Sequence, residues 1–214
     1  MREGFHDDLT RLSELQAVMC DLAATAIRRA TDALLNADLR VAEQVITADA
    51  VLDAHRARCE EDAYSLLALQ APVAGDLRRV LAVIYCAERI ERMGDLAAHV
   101  ADTARYAHPE HAVPAELNPT FLRMGELTAG MAEGVAAQIR TGSGGSYREL
   151  READEAVDEL HARLLSAMTG AGWDHSHGEA VAATLATRFY ERFADQTVSV
   201  AKRLEFAHTG DLPG

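Results

Sequence analysis

Between residues 88 and 102, carboxylates and one histidine recur at three- and four-residue steps: Glu88, Glu91, Asp95, His99 and Asp102. At about 100° per residue these side chains share one arc of a helix. Leu77, Val80 and Ile84 occupy that arc earlier, whereas Ile90, Met93, Ala97 and Val100 fall roughly opposite the carboxylates. The segment therefore packs one way at its start and later turns an acidic line outward. Asp49 and Asp53 form a second pair four residues apart, beside an apolar stripe of Val41, Val45, Leu52, Cys59 and Ala63. Like charges at this spacing repel by roughly a few tenths of a kcal/mol, and a cation held between them reverses the sign. Two pairs on neighbouring helices would offer oxygen ligands to a hard divalent cation or iron, with His99 as an added nitrogen donor.

One acidic pair means little in a chain with 34 Asp and Glu among 214 residues. Chance alone gives about five such pairs, and most are solvated helix faces. Recurrence carries more weight. Ala48-Asp49-Ala50-Val51-Leu52-Asp53 returns as Ala153-Asp154-Glu155-Ala156-Val157-Asp158, and Glu91-Arg92-Met93-Gly94-Asp95 returns as Glu191-Arg192-Phe193-Ala194-Asp195. Matches in the same order at nearly one offset indicate an internal duplication. The second copy differs: Arg188 replaces Glu88, Lys202 replaces Asp102 and Ser199 replaces His99. Cations beside Glu191 and Asp195 would neutralise that pair, so the second site is expected to bind metal more weakly. The candidate metal ligands are Glu91, Asp95, Glu191, Asp195, Asp49, Asp53, Asp154 and Asp158.

The elements that must place these residues are helices. Aromatic residues are 5% of the chain, hydrophobic ones 49% and charged ones 26%. Plentiful Ala, Leu, Arg and Glu with few β-branched residues favour helix over sheet. Apolar spacing predicts helices over about 5–36, 39–69, 73–106, 118–141, 147–169 and 177–209. Asp38, Asn118 before Pro119, Ser146 with Glu149 and Ser176 with Glu179 read as helix starts. The expectation is an all-α fold of two tandem three-helix bundles, residues 1–110 and 111–214, joined near a Pro-rich stretch holding Pro109, Pro114 and Pro119.

The remaining features exclude more than they assign. A net charge of −13 opposes nucleic acid and anionic lipid, both of which require clustered Lys and Arg. No basic segment leads into an apolar run, and no stretch approaches the ~20 apolar residues of a membrane span, so a cytoplasmic location is expected. Cys20, Cys59 and Cys86 sit in apolar helical patterns and read as buried thiols. Gly142-Ser143-Gly144-Gly145 lacks a phosphate-loop lysine and reads as a linker. His175 and His177 beside Trp173 read as a solvated turn. No nucleophile motif is present and Glu-x-x-His is missing from the matched positions, so no catalytic residue is assigned.

Ala71-Pro72-Val73-Ala74-Gly75-Asp76-Leu77-Arg78-Arg79, followed by Glu91-Arg92-Met93-Gly94-Asp95-Leu96-Ala97, closely resembles the first repeat of the PhoU family. Glu191 to Gln196, with His208-Thr209-Gly210-Asp211, resembles its degenerate second repeat, in the style of the actinobacterial PhoY branch. The resemblance implies a cytoplasmic, commonly dimeric, non-enzymatic regulator that restrains the phosphate-starvation response. It further implies partners: the ATPase subunit of the phosphate ABC transporter and a membrane sensor histidine kinase. The family's E/DxxxD motifs imply metal clusters at Glu91 and Asp95 first, then Glu191 and Asp195, with Asp49, Asp53, Asp154 and Asp158 opposite. Ala194 and Gln196 depart from the family's usual Gly and His, which weakens the second cluster. The competing reading is a metal-storage or di-iron-type bundle, and a metal-free helical scaffold is a third.

Overall fold

A computed structural model describes residues 2–141 and 146–211. The chain forms α1 (Arg2–Asn36), α2 (Leu39–Gln70), α3 (Ala74–Ala107), α4 (Asn118–Thr141), α5 (Tyr147–Thr169) and α6 (His177–Thr209), with one 3₁₀ turn at Ala115–Leu117. No strand occurs among the described residues. The fold is all-α, and its helix limits agree with the apolar periodicity to within a few residues. Gly142-Ser143-Gly144-Gly145 lies outside the described residues.

Local chemistry explains most boundaries. Asp38 Oδ1 accepts from Val41 N–H at 2.9 Å and starts α2. Ser146 with Glu149, and Ser176 with Glu179, form complete capping boxes at α5 and α6. Each satisfies two backbone groups that a helix start leaves free. Asn118 does not act as the expected cap. The 3₁₀ turn runs straight into α4, Asn118 already has helical φ −52 and ψ −45, and its Oδ1 is buried without a partner. Gly210 closes α6 in the left-handed conformation, its N–H bonded to Phe206 O.

Within each half, three helices pack around Ala-rich seams. The halves then join along α1–α4 and α3–α6. Both joints are antiparallel. Thr31 lies against Gly125 while Arg140 reaches back to Asp21 and Glu14; Cys86 lies by Val200 while His99 lies by Phe189. Ala17, Ala23, Ala30, Ala97, Ala101, Ala194 and Ala201 are fully buried, and such small side chains let helix axes approach to about 8 Å. One apolar core consequently runs through both halves.

The offset that aligns Asp49 with Asp154 also aligns α1 with α4. Leu12, Gln16, Met19, Cys20, Ala23, Ala24 and Ile27 are buried, and so are Leu117, Phe121, Met124, Gly125, Thr128, Ala129 and Ala132. The duplication thus includes the first helix of each half, where side-chain identity has drifted and only burial is kept.

The three cysteines are buried free thiols. Burial pushes the Cys59 and Cys86 thiols up to about 12, so neither forms a thiolate near neutrality. The Trp173–His175 turn is not simply solvated. His175 Nε2 pairs with Glu116 of the 3₁₀ turn, its ring sits edge-on to Trp173 at 4.8 Å, and Trp173 packs on the core.

Candidate cation sites

Gly94 sets the first site. A Cβ at this position would stand 2.4 Å from Leu52 Cδ2 and 2.8 Å from Asp49 Oδ1. Only a glycine lets α3 approach α2 this closely, and the approach brings Asp49 and Asp53 beside Glu91 and Asp95. Burial first, then Asp95 and Asp53, raises the Asp49 carboxyl to about 6. Burial, Asp95 and Asp53 raise Glu91 to about 7 against the pull of Arg56. A protonated carboxyl beside an ionised one is the expected state of such a pair without a counter-ion.

The acidic arc of α3 does not act as one unit. Glu91 and Asp95 enter the groove, with Arg92 Nη1 donating to Asp95 Oδ2 at 2.7 Å. Glu88 is exposed, and Asp102 pairs with Arg105 at 2.8 Å. His99 turns toward α6 and stacks on Phe189 at 5.1 Å, so its ring serves the repeat interface. Sequence reading missed Gly94 as the spacer, and missed Arg92 and Arg56 as the groove's cations. Their i, i+3 and i, i+4 carboxylate partners, Asp95 and Glu60, were the available signal.

The second groove, between α5 and α6, repeats the plan with a change. Burial, Asp158, Asp195 and Glu191 raise Asp154 to about 6. Asp195 is raised by burial and Asp158, partly offset by Arg188 and Arg192. Glu191 is raised by burial and Asp195, opposed by Arg188, which pairs with its Oε1. The other oxygen, Glu191 Oε2, is buried without a hydrogen bond. Lys202 does not flank this pair as expected; its ammonium lies over the Tyr147 ring at 5.8 Å. Ala194 stands where Gly94 stands in the first copy and Val157 where Leu52 stands, so the methyl gained on α6 accompanies a methylene lost on α5.

All eight candidate ligands therefore fall into two matched tetrads, one per repeat. As the side chains stand, no group of three or more His, Cys, Asp or Glu among the described residues converges into a preformed cage. The donor chemistry nonetheless fits a hard cation: Asp49, Glu91, Asp154, Glu191 and Asp195 are pushed toward the neutral form by burial and then by neighbouring carboxylates, and one buried oxygen lacks a donor.

These features define a class: duplicated three-helix bundles joined back to back, each with an acidic groove between its last two helices. The chain belongs to the PhoU family, whose domain model matches residues 17–104 and 121–204. It is 46% identical over 213 residues to the phosphate-specific transport system accessory protein PhoU homolog 1 of Mycobacterium leprae, covering all of this chain and 96% of the relative. It is 45% identical to PhoU homolog 2 of Mycobacterium tuberculosis, covering both chains fully. Crystal structures of PhoU from Streptococcus pneumoniae and Pseudomonas aeruginosa share the fold. Their TM-scores are 0.86 and 0.84 at 24% and 20% identity, covering 98% and 97% of this chain and 99% and 100% of theirs. No helix among the described residues is long and apolar enough to cross a membrane.

Proposed function

We propose that this protein is a cytoplasmic accessory of a phosphate uptake system and a negative regulator of the phosphate-starvation response. It links the ATPase subunit of the phosphate ABC transporter to a sensor histidine kinase, acts as a homodimer and performs no chemistry of its own. The observation that carries this reading is full-length kinship with relatives named as phosphate-specific transport system accessory proteins, together with paired acidic grooves at matched places in both repeats.

In this reading Asp49, Asp53, Glu91 and Asp95 hold a divalent cation or iron, and Asp154, Asp158, Glu191 and Asp195 hold a second one more weakly. When bound, the metal supplies positive charge that discharges the carboxylates and locks α2 to α3. The protein's own part is to set the spacing through Gly94 and to restrain Asp95 through Arg92. The second groove already contains a tethered cation, Arg188 on Glu191, which competes with any metal. The filled first groove then serves as part of the partner-docking face.

Asp95→Ala tests this directly. The variant should stay folded, lose co-purification with the transporter ATPase or the kinase, and derepress phosphate-starvation genes. Unchanged repression by a folded variant would sink the proposal. A storage or di-iron role would instead show redox turnover on metal-loaded protein. Dimer size in chelator separates the metal from assembly, since the dimer is expected to persist without it.

A further inference from the structure

At the opposite end of the core from the Thr31–Tyr190 contact, α1, α3, α4 and α6 line a cavity of about 730 Å³ that opens to solvent past His6, Arg79 and His208. Small-molecule sites usually span roughly 300–1,000 Å³. The duplication shows why the space is open. At the far end of the same four helices Phe121 and Tyr190 meet at 6.0 Å and the connector adds Ala112 and Val113, all buried. At the cavity end Gln16 stands where Phe121 stands in the other repeat. Gln138, Ile139 and Arg140 stand where Ala33, Leu34 and Leu35 stand. Ala33 and Phe121 are fully buried, so three apolar positions of one end, Phe121, Ala33 and Leu35, have become Gln16, Gln138 and Arg140 at the other, while Leu34 keeps an apolar match in Ile139.

Polar groups in such a place cost free energy unless something satisfies them. Gln16 is 2% exposed and uses its Nε2–H₂ on Val83 O at 2.9 Å. Gln138 lines the cavity with a buried Oε1 that accepts no hydrogen bond. Charge points the same way. Among the lining side chains two guanidinium groups, Arg79 and Arg140, and two imidazoles, His6 and His208, face one carboxylate, Glu205, and the arginines also meet carboxylates just outside the lining. Arg140 is already held by Glu14 and Asp21. Arg79 lies 3.9 Å from Asp76, a loose pairing that leaves the guanidinium available. Two smaller clefts on α2 have the reverse character, with Asp8 and Asp62 around Arg11 in one and Glu60 and Glu61 in the other.

We propose that this cavity binds a nucleotide, with its phosphate at Arg79, its flat apolar body between Leu9, Val83 and Leu204, and its base edge on the amides of Gln16 and Gln138. The three chemistries correspond to the three parts of the lining. A guanidinium takes phosphate oxygens, an apolar floor takes a ring, and a carboxamide reads an edge bearing both donor and acceptor. The site is separate from the acidic grooves and does not depend on the regulatory reading.

Calorimetric titration of the full-length protein with AMP, ATP, GTP and CTP, and with inorganic phosphate, tests it. One of these nucleotides should bind with one site per chain, and inorganic phosphate at least about tenfold more weakly. Arg79→Ala should weaken the nucleotide at least about tenfold. Gln16→Phe, which imports the residue that fills the other end, should abolish binding while leaving the melting temperature undiminished. If that variant fails to fold, Ala82→Leu fills the same space from α3. Absence of heat with all four nucleotides at millimolar concentration overturns the proposal. So does binding indifferent to both kinds of variant, or phosphate alone binding as tightly as the nucleotide.

Discussion

The Tyr190 hydroxyl donates a 2.7 Å hydrogen bond to Thr31 Oγ1 in the joint between repeats, and Thr31 in turn donates to Ile27 O at 2.8 Å. Tyr190 is fully buried, and burial raises its phenol well above the ordinary range. The two partners are therefore unequal. Tyr190→Phe removes a donor but leaves Thr31 bonded to Ile27, at about 1 kcal/mol. Thr31→Val leaves a buried hydroxyl without an acceptor, at about 1–3 kcal/mol. Urea denaturation of the two variants should rank them in that order.

Gly94→Ala should destabilise the first repeat by about 1–3 kcal/mol through overpacking against Leu52. Leu52→Val, which recreates the Ala194–Val157 combination of the second repeat, should restore part of the loss. A double-mutant cycle reads the coupling; additive effects would show that the two side chains do not meet.

Without metal, stability should fall as pH rises toward neutrality. The carboxyls of Asp49 and Glu91 stand at about 6 and 7 against ordinary values of 3.8 and 4.5. The folded state therefore holds protons that the unfolded chain has released, and the slope of stability with pH is negative between these values. Asp154 contributes in the same direction. His161, pushed down by burial and Arg188, acts in the opposite direction and offsets part of the slope near its ordinary 6.5, as does Glu133, held low by Arg28, below its ordinary 4.5. Melting temperatures in chelator should decline from pH 5 to about 7.5. Added Mn²⁺ should flatten the decline, and Asp49→Asn with Glu91→Gln should remove the first groove's share of it, leaving the part due to Asp154.

Arg188→Ala should raise the affinity of the second groove for a divalent cation, because Glu191 then loses its internal counter-charge. Titration with Mn²⁺ should move from one dominant site per chain toward two. An unchanged isotherm would show that Arg188 does not guard the groove.

The helical architecture was legible in residue spacing because helix periodicity and capping are local. Ser146 with Glu149 and Ser176 with Glu179 announce their helices from four residues, and the structure adds only their bond lengths. Asn118 misled for a local reason as well: the preceding 3₁₀ turn supplies the backbone continuity that a cap would otherwise start. The eight carboxylates were found by recurrence, since two copies of one spacing outweigh chance in an acidic chain.

Sequence alone thus determined the helices, the duplication and the set of acidic side chains, all of which depend on neighbours within a few turns or on self-comparison. Tertiary structure decided which of those side chains meet. On one helical arc Glu91 and Asp95 enter the groove, Asp102 takes Arg105 and His99 stacks on Phe189, because what each position faces depends on where α2 and α6 cross α3. Gly94 governs the first of those crossings through a missing methyl. The cavity beside Gln16 is likewise set by four helices at once, and no single stretch of chain contains enough of its wall to reveal it.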